Sequence, residues 1–460
     1  MNSLLIKDPL LTVTMDPEND NFTSGWVLIK KNKIDSIGTG KQPDADTVID
    51  AKGMVLLPGL VNTHHHMYQT LTRNLPGAQN SHLFSWLDTL YKVWGELTEE
   101  AVFVSAQVAM AELLLSGCTT TSDHLYLFPS AASKHLIDKE IDAALEIGIR
   151  FHPTRGSMSL GRSAGGLPPD TVIQTEEEII DDSIRLIEKY HDPEPLSMLR
   201  VALAPCSPFS VTADLMKRTR ELADKYDVRL HTHLAESKDE EKFCLDKFGQ
   251  RPVDFAESLG WLGDDVWFAH TVHLNDNEIE KLSATKTGVS HCPTSNMRLG
   301  SGIAPVAKML DAGVHVSIGV DGSASNDSSN MLNELRQSLL LQRLTDDRWL
   351  SAAEVLRMGT LGGAEILGRK NIGMIKPGAA ADLILIDLND IGYAGSKSDP
   401  LAAILFCIGT QRVSWSIING KIVVEEGELK GLNLSEISDR ADKISQEMIS
   451  RSSKNSVTYS

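Results

Sequence analysis

The sequence has few cysteines, few basic residues relative to acidic ones and no long apolar run, and each shortage excludes a class of protein. Its 5 cysteines are scattered and odd in number, so we expect no disulfide framework. With 44 Lys and Arg against 62 Asp and Glu, the net charge of -18 argues against nucleic acid or an anionic membrane as a partner. No stretch approaches the roughly 20 apolar residues of a membrane helix, and the start of the chain lacks a signal pattern. The expected compartment is therefore the cytoplasm.

What remains is the composition of a globular protein with a β-rich segment at each end. Apolar residues make up 42% of the chain and charged residues 23%. Apolar and polar side chains alternate over the first part of the chain, and the segments 381–388 and 412–429 have the same texture, with a hairpin turn at Asn419-Gly420. We expect these two ends to pair into one small β-module.

The middle of the chain has a different pattern. Apolar, β-branched segments recur there between amphipathic helices, which is typical of a parallel sheet wrapped by helices. Eight such units over about 320 residues predict a (β/α)8 barrel. The predicted fold class is therefore α/β, a TIM barrel with a small β-sandwich. The predicted limits are 1–56 and 376–430 for the composite sandwich, 57–375 for the barrel, and 431–460 for a C-terminal helix and polar tail.

Polar residues follow several of the predicted barrel strands, at the end where such barrels carry their functional groups. His64 and His66 alternate after the first strand, so both imidazoles can face one metal ion. His233, His270 and Asp321 end three later strands. Any one of them alone could be a packing or turn residue, but together they predict a metal pocket. Nitrogen and oxygen ligands without thiolates favour Zn²⁺, with Fe²⁺ left open.

This constellation resembles the amidohydrolase superfamily over nearly the whole chain. The resemblance is carried by PGLVNTHHH, HTHLAE, VWFAH, HCPTSN and VDGSASN. It implies that one divalent metal ion is held by His64, His66, His233 and Asp321. Binuclear members of the superfamily carry a bridging lysine at the end of strand four, where this sequence reads VALAPCSPFS. The resemblance therefore implies a single ion.

Within the superfamily, the chain is similar to the branch that removes amino groups from aromatic heterocycles. The segments THHHMYQTLTR, RGSMSLG, LAPCSPFS, CPTSNMRL and DGSASNDSSN resemble those of 8-oxoguanine deaminases. That likeness implies hydrolysis of 8-oxoguanine to urate and ammonia, a small heterocyclic substrate with water as co-substrate, and a homo-oligomer. The same chemistry on isocytosine, guanine or an aminotriazine, including dechlorination of a triazine, stays open.

The implied chemistry needs a hydroxide and two proton transfers. A bound metal can lower the pKa of its water from about 15.7 to about 7, which supplies the hydroxide. We expect Asp321 to take the proton of this water, His270 to hold the attacking hydroxide, and Glu236 to protonate the ring nitrogen. Glu236 could instead cap the helix that follows it, but His233 three residues earlier favours the catalytic role.

The substrate contacts rest on weaker signals, and each has a structural alternative. The expected contacts are Gln69, Tyr126, Arg155, Cys206, Ser207 and Asn326. An amide such as Gln69 can read adjacent donor and acceptor positions on a purine edge. Arg155 could meet a carbonyl oxygen or form a structural ion pair, and Asn326 could contact substrate or hold its own loop. The segments 67–97 and 156–170 are long enough to serve as lids or substrate walls.

Two other kinds of protein lie outside this reaction class. A non-enzymatic scaffold on the same fold has no need for the full set of ligands together with Glu236 and Asp321. A phosphate-binding barrel enzyme would want a Gly-rich loop after strands seven and eight, where HCPTSN and DGSASND are polar instead.

Overall fold

A computed structural model describes residues 3–18, 20–345, 348–407 and 412–457. Six short strands precede the barrel. They are β1 (Ser3–Lys7), β2 (Leu11–Thr12), β3 (Gly25–Lys30), β4 (Lys33–Thr39), β5 (Thr47–Asp50) and β6 (Met54–Pro58). β1, β3, β4 and β5 form one sheet in the order β4-β3-β1-β5.

Eight parallel strands then form the barrel. They are β7 (Leu60–Asn62), β8 (Cys118–Leu125), β9 (Arg150–Ser157), β10 (Ala202–Pro205), β11 (Leu230–Leu234), β12 (Val266–His270), β13 (Gly288–His291) and β14 (Val316–Ile318). They lie in sequence order. The first and last strands are joined by hydrogen bonds from Thr63 N to Ile318 O (3.1 Å) and from Val320 N to the Asn62 side chain (2.9 Å). The predicted barrel is thereby confirmed.

Every residue of the eight barrel strands is buried, which explains why these segments read as continuous runs without an exposed face. Helices cover the outside of the barrel. They are α1 (Leu83–Trp94), α2 (Glu99–Leu115), α3 (Leu136–Ile147), α4 (Glu176–Tyr190), α5 (Ala213–Tyr226), α6 (Lys238–Phe248), α7 (Pro252–Ser258), α8 (Asp276–Thr285), α9 (Pro293–Arg298), α10 (Val306–Asp311), α11 (Met331–Leu341), α12 (Ala352–Arg357) and α13 (Gly363–Ile366). The acidic run EEEIIDD begins α4. There, Glu178 completes a capping box with Thr175.

The C-terminal part of the chain pairs with strands from its beginning. The last elements are β15 (Leu383–Asp387), α14 (Pro400–Phe406), β16 (Trp415–Ile418), β17 (Lys421–Glu425), β18 (Glu428–Leu429) and α15 (Leu434–Val457). β15 pairs antiparallel with β6, so a second sheet of order β18-β17-β16-β15-β6-β2 contains strands from both ends. The two sheets share a buried apolar core that includes Ile6, Val27, Leu56, Leu385 and Ile417. This confirms the predicted additional β-module, whose predicted limits stay a prediction.

The apolar segment MVLLPGLVNT connects the β-module to the barrel. It forms two strands, β6 and β7, that separate at Gly59. A Cβ atom at Gly59 would lie 2.0 Å from Oγ1 of Thr119, so only glycine allows the two strands to change sheets there.

None of the helices in the described part of the chain combines the length and the apolar character that a membrane crossing requires.

A buried ion pair joins the module to the barrel. Asp382, directly before β15, accepts hydrogen bonds from Nε (2.7 Å) and Nη2 (3.0 Å) of Arg150 at the start of β9. The same carboxylate accepts a hydrogen bond from the backbone N–H of Asn419 (2.7 Å). Both charged side chains are excluded from solvent, so the charge of each depends on the other for its compensation.

Replacing Asp382 with Asn should leave the Arg150 guanidinium buried without a full counter-charge. We expect the free energy of unfolding to fall by about 3–5 kcal/mol, the usual cost of breaking a buried pair. Urea denaturation measures this change. Asp311→Asn is the matched control because its ion pair with Arg348 is exposed, and it should cost less than about 1 kcal/mol. Equal losses in the two variants would show that the buried pair does not stabilise the joint.

Candidate active site

Four predicted ligands converge at the carboxyl ends of β7, β11 and β14. Nε2 of His66 lies 3.0 Å from Nε2 of His233. Oδ1 of Asp321 lies 3.3 Å from Nε2 of His64 and 3.2 Å from Nε2 of His66. All four side chains are buried. His65, between the first two, points the other way and its Nε2 meets the Ser329 hydroxyl (2.9 Å).

Hydrogen bonds to backbone carbonyls fix two of these imidazoles. Nδ1 of His66 lies 2.7 Å from the carbonyl oxygen of His124, and Nδ1 of His233 lies 2.7 Å from that of Cys206. A carbonyl oxygen only accepts, so in both rings Nδ1 carries the hydrogen. The lone pair of each Nε2 is therefore directed at the centre of the cluster, which is the state a metal ligand needs.

His64 is fixed in the same way through a second histidine. Nδ1 of His231 donates to the carbonyl oxygen of Trp267 (2.9 Å), which leaves Nε2 of His231 as an acceptor. Nδ1 of His64 then donates to that Nε2 across 2.8 Å. Nε2 of His64 keeps its lone pair, and within the described residues it is buried without a hydrogen-bond partner.

This donor set fits a divalent metal ion. Three lone pairs and a carboxylate oxygen face one another with no hydrogen between them, which only a cation compensates. Ligands placed tetrahedrally about 2.0–2.1 Å from a zinc ion would be about 3.3 Å apart, close to the 3.0–3.3 Å observed here. β10 (Ala202–Pro205) ends without a lysine, as the sequence indicates.

The backbone is strained where these strands end. Ala235, His270, Thr271 and Asp321 all have positive φ, at 55°, 74°, 46° and 61°. Such conformations cost on the order of 1 kcal/mol or more for residues other than glycine. At Asp321 the bend is held by a hydrogen bond from its own N–H to the carbonyl oxygen of His64 (3.0 Å). Strain of this kind is typical of functional sites.

Glu236 and His270 stand beside the cluster. Nδ1 of His270 lies 3.0 Å from Oδ1 of Asn296. Its Nε2 lies 3.7 Å from Oε2 of Glu236 and 3.9 Å from Oδ2 of Asp321. Oε1 of Glu236 is buried and has no hydrogen-bond partner in the described part of the chain. The imidazole therefore stands between two carboxylates that both face the cluster.

The two carboxylates have opposite protonation tendencies. Burial raises the pKa of Glu236, and the nearby Asp321 adds to the rise although His270 opposes it. Burial would also raise the pKa of Asp321, but its interactions with the adjacent His64 and His66 side chains outweigh that effect and hold the pKa well below the usual range. A pair of carboxylates with separated pKa values is the arrangement that acid–base catalysis uses.

A narrow cavity opens onto these groups. It is lined by His66, Gln69, Leu83, Trp86, Leu87, Tyr91, Tyr126, Cys206, Ser207, Phe209, His233, Glu236, His270, Leu299, Asp321 and Ser325. Four predicted substrate contacts, Gln69, Tyr126, Cys206 and Ser207, are thus brought together. Gln69 packs against Gly322, where a Cβ atom would lie 1.9 Å from Oε1 of Gln69.

Two predicted contacts do not reach the cavity. The Arg155 guanidinium pairs with Asp182 (2.7 Å), bonds Gln174 (2.8 Å) and lies 4.2 Å from the centre of the Phe128 ring. It is the structural ion pair that the sequence left as the alternative. The side chain of Asn326 donates to the Val320 carbonyl oxygen (2.6 Å) and to Glu334 (2.8 Å), so it holds its own loop.

The predicted site residues did not include Leu83, Leu87 and Tyr91, which the structure brings to the cavity. With Trp86 they belong to α1, and their spacing of three to four residues is the signal that they share one helix face. The segment 67–97 therefore does supply a wall. His231 was overlooked although it stands two residues before His233, the same spacing that revealed His64 and His66.

Together, a parallel barrel and a nitrogen- and oxygen-lined cluster at the carboxyl ends of its strands define a metal-dependent barrel hydrolase. The chain belongs to the amidohydrolase family, whose profile matches residues 55–423. An 8-oxoguanine deaminase of Pseudomonas aeruginosa is 47% identical over 439 residues, which cover 95% of this chain and 96% of that protein. A hydroxydechloroatrazine ethylaminohydrolase of a Pseudomonas species is 37% identical over 90% of this chain and 86% of that one.

Solved structures support the same assignment. An atrazine chlorohydrolase of Arthrobacter aurescens complexed with zinc superposes with a TM-score of 0.92 at 34% identity, covering 96% of this chain and all of that one (100%). An adenosine deaminase of Xanthomonas campestris with bound zinc gives a TM-score of 0.88 at 26% identity, covering 97% and 98%. These zinc-bound neighbours and the His/Asp cluster together support a divalent metal ion at the site.

A second buried glutamate shapes the loop that carries Glu236. The Glu240 carboxylate accepts hydrogen bonds from the backbone N–H groups of Ala235 (2.8 Å) and Glu236 (2.8 Å), across the bend where Ala235 has positive φ. Burial raises the pKa of Glu240 to about 7, although these two backbone hydrogen bonds oppose the rise.

This pKa predicts a pH dependence of stability. Between about pH 4.5 and pH 7 the folded protein keeps a proton on Glu240 that the unfolded chain has released. The stability contributed by Glu240 is therefore present below about pH 4.5 and is lost as the pH rises through 7. In Glu240→Gln the free energy of unfolding should fall less over this range, by on the order of 3 kcal/mol.

Urea denaturation at a series of pH values measures this difference. Glu280→Gln, an exposed glutamate on α8, serves as the control and should follow the wild-type curve. A Glu240→Gln curve parallel to that of the wild type would contradict the raised pKa.

Proposed function

We propose that this protein is a metal-dependent aminohydrolase that converts 8-oxoguanine to urate and ammonia. The observation that carries the reaction class is the position of His270 between Glu236 and Asp321, two buried carboxylates with opposite pKa shifts beside the His/Asp cluster. The assignment of 8-oxoguanine as the substrate is supported by 47% identity to an 8-oxoguanine deaminase over 95% of the chain.

We assign the metal ligands as His64, His66, His233 and Asp321, holding one ion. Zn²⁺ is supported by the three imidazoles and by the zinc in the neighbouring structures, and Fe²⁺ is the alternative. When bound, such an ion lowers the pKa of water towards neutrality. Because the donor set is buried and excludes solvent, the charge interactions in the pocket are also stronger than they would be in water.

The side chains supply the proton transfers. Asp321, which lines the cavity, accepts a proton from the attacking water, and Nε2 of His270 holds the oxygen that attacks C2 of the purine. Glu236, whose pKa is raised by burial, donates a proton to the ring nitrogen next to C2. C2 becomes tetrahedral, and the proton held by Asp321 passes to the exocyclic nitrogen. The C2–N bond then breaks to release ammonia, while the new C2–OH group returns its proton to Glu236 and becomes the carbonyl. Water and 8-oxoguanine are thereby converted to urate and ammonia.

The proposed substrate contacts are those that line the cavity. The Gln69 amide can both donate to and accept from a purine edge, and its Oε1 is buried without a partner in the residues described. The rings of Tyr126 and Trp86 offer faces to the base. Cys206 is no nucleophile, because burial raises its pKa to about 12 and keeps it a thiol at neutral pH.

Assembly as a homo-oligomer and a cytoplasmic location stay predictions.

The same machinery acting on a triazine is the second candidate. It is favoured by the likeness to an atrazine chlorohydrolase at a TM-score of 0.92 and to a hydroxydechloroatrazine ethylaminohydrolase at 37% identity. Displacement of an amino or chloro group by water at a ring carbon would use the same Glu236 and Asp321. The two candidates differ in the heterocycle and, for a chlorotriazine, in the leaving group.

Replacing Glu236 with Gln tests the proton donor. The variant should keep about one equivalent of bound zinc, because Glu236 is outside the ligand set, and should lose roughly 10²–10⁴-fold in turnover. Metal analysis and ammonia release measure the two effects. Glu280→Gln should retain full activity. Undiminished turnover in Glu236→Gln would reject the role of Glu236, and two tightly bound ions would reject the single-metal assignment.

A screen for ammonia release tests the substrate. The zinc-loaded protein is incubated with 8-oxoguanine, guanine, isocytosine and aminotriazines, and kcat/KM should be highest for 8-oxoguanine. Chloride release from a chlorotriazine is followed in parallel. Turnover of another heterocycle with none of 8-oxoguanine would move the assignment to that compound. No release from any of them would contradict the aminohydrolase proposal itself.

A further inference from the structure

Three arginines meet at the amino-terminal end of the barrel, opposite the catalytic mouth. Arg200 lies two residues before β10, Arg229 lies directly before β11, and Arg369 follows α13. We call these three residues the basal arginine cluster. Gly368, the residue directly before Arg369, brings them together: Nη1 of Arg200 donates to its carbonyl oxygen (3.1 Å), and a Cβ atom at Gly368 would lie 2.2 Å from Nε of Arg229. Burial lowers the pKa of each of the three arginines.

Within the part of the chain that the structure describes, the basal arginine cluster forms no ion pair with a carboxylate. Nη1 of Arg369 donates to the Ser197 carbonyl oxygen (2.6 Å), and Nη1 of Arg200 donates to that of Gly368 (3.1 Å). Arg229 donates to a backbone carbonyl as well. Among the described residues, no carboxylate oxygen lies within 4 Å of any of the three guanidinium groups, whereas the neighbouring Arg150 is paired with Asp382.

Arg369 makes this arrangement costly. Its side chain is 1% exposed, and both Nε and Nη2 are buried without a hydrogen-bond partner in the described residues. An unpaired buried charge is among the most unfavourable features a fold can hold, and a second and third like charge beside it add repulsion. An anion held in a neighbouring cavity would offset both the unpaired charge and the repulsion.

The fold provides space for such an anion. Arg229 and Lys370 line two adjoining cavities of about 330 and 400 Å³. Arg200 faces the first and Arg369 the second. Buried His152, whose Nδ1 also has no partner in the described chain, lines the first.

Four acidic groups line these cavities, but none of them forms an ion pair with the three arginines among the described residues. They are Asp227, Asp264, Asp265 and Glu365. Asp265 is paired with Arg220, and Glu365 with Arg357 and His315. Asp227 and Asp264 are exposed to solvent. Lys286 adds a further positive charge at the larger cavity.

We propose that the basal arginine cluster binds a phosphate group, either as free phosphate or as part of a phosphate monoester. A dianion with three strong acceptor oxygens matches several converging guanidinium groups better than a single carboxylate does. The larger cavity has an apolar side formed by Leu361, Ile366 and Met374, which can hold the organic part of an ester. This site is separate from the catalytic cavity and does not depend on the proposed reaction.

Thermal unfolding of the zinc-loaded full chain tests the proposal, with inorganic phosphate as the probe and chloride added to keep ionic strength constant. A ligand that binds only the folded state raises the unfolding midpoint in a saturable way. We expect a rise of a few degrees in the wild type. In Arg369→Met the rise should disappear, and the midpoint without phosphate should not fall, because an unpaired buried charge has been removed.

Two further variants keep the test decisive. Arg200→Gln, at a half-buried position, should also lose the response to phosphate, and it serves if Arg369→Met fails to fold. Lys308→Met, an exposed lysine on α10, should respond like the wild type. Phosphate bound at the zinc ion would raise the midpoint equally in every variant, and that result overturns the proposal.

The chemical class is tested by the choice of probe. Acetate at the same ionic strength should have little effect, since it offers one charge and two oxygens. An equal response to acetate would overturn the phosphate assignment, and so would the absence of any saturable response to phosphate. A simple phosphate monoester that raises the midpoint at lower concentration than inorganic phosphate would identify the ester as the ligand form.

Discussion

The site depends on the seam where the barrel closes. β7 and β14 are the first and last strands of the barrel, and hydrogen bonds from Thr63 N to Ile318 O and from Asp321 N to His64 O hold them together. The second of these bonds joins two predicted metal ligands through their own backbones. Nε2 of His64 and the carboxylate of Asp321 therefore face each other only if the barrel is closed in this register. Closure of the sheet and assembly of the donor set are the same event.

Around that seam, polar groups are buried in an unusual concentration, and each is held by a specific partner. Carbonyl oxygens set the tautomers of His66 and His233, and His231 sets that of His64. Glu240 holds the backbone that presents Glu236. These partners offset the desolvation of the site and leave the lone pairs and carboxylates directed at one point. The strained φ angles at the strand ends are retained because the surrounding hydrogen bonds determine the backbone there.

The sequence predicted the parts of this arrangement that follow from local periodicity. Alternation in an extended segment placed His64 and His66 on one side, and the ends of parallel strands meet at one edge, so His233, His270 and Asp321 could be added. Side chains whose direction is decided by a tertiary partner could not be placed. Arg155 turns towards Asp182 and Asn326 turns towards Glu334, and no local pattern predicts either contact. The sequence predicted the segment 67–97 as a lid or wall, but the face of α1 that lines the cavity depends on tertiary packing. The change of sheet at Gly59 depends likewise on the close approach of Thr119.

The pairing of β6 with β15 has a consequence for biosynthesis. Pro58 aligns with Leu383, more than three hundred residues later in the chain. During synthesis the β6 segment leaves the ribosome long before its partner exists, and it must wait while the whole barrel is translated. β7 follows β6 after the single residue Gly59, so the strand that carries His64 stays unanchored on that side for the same period. The apolar residues of β6, Val55, Leu56 and Leu57, are fully buried in the final fold, and they lack their β15 neighbours until translation passes β15.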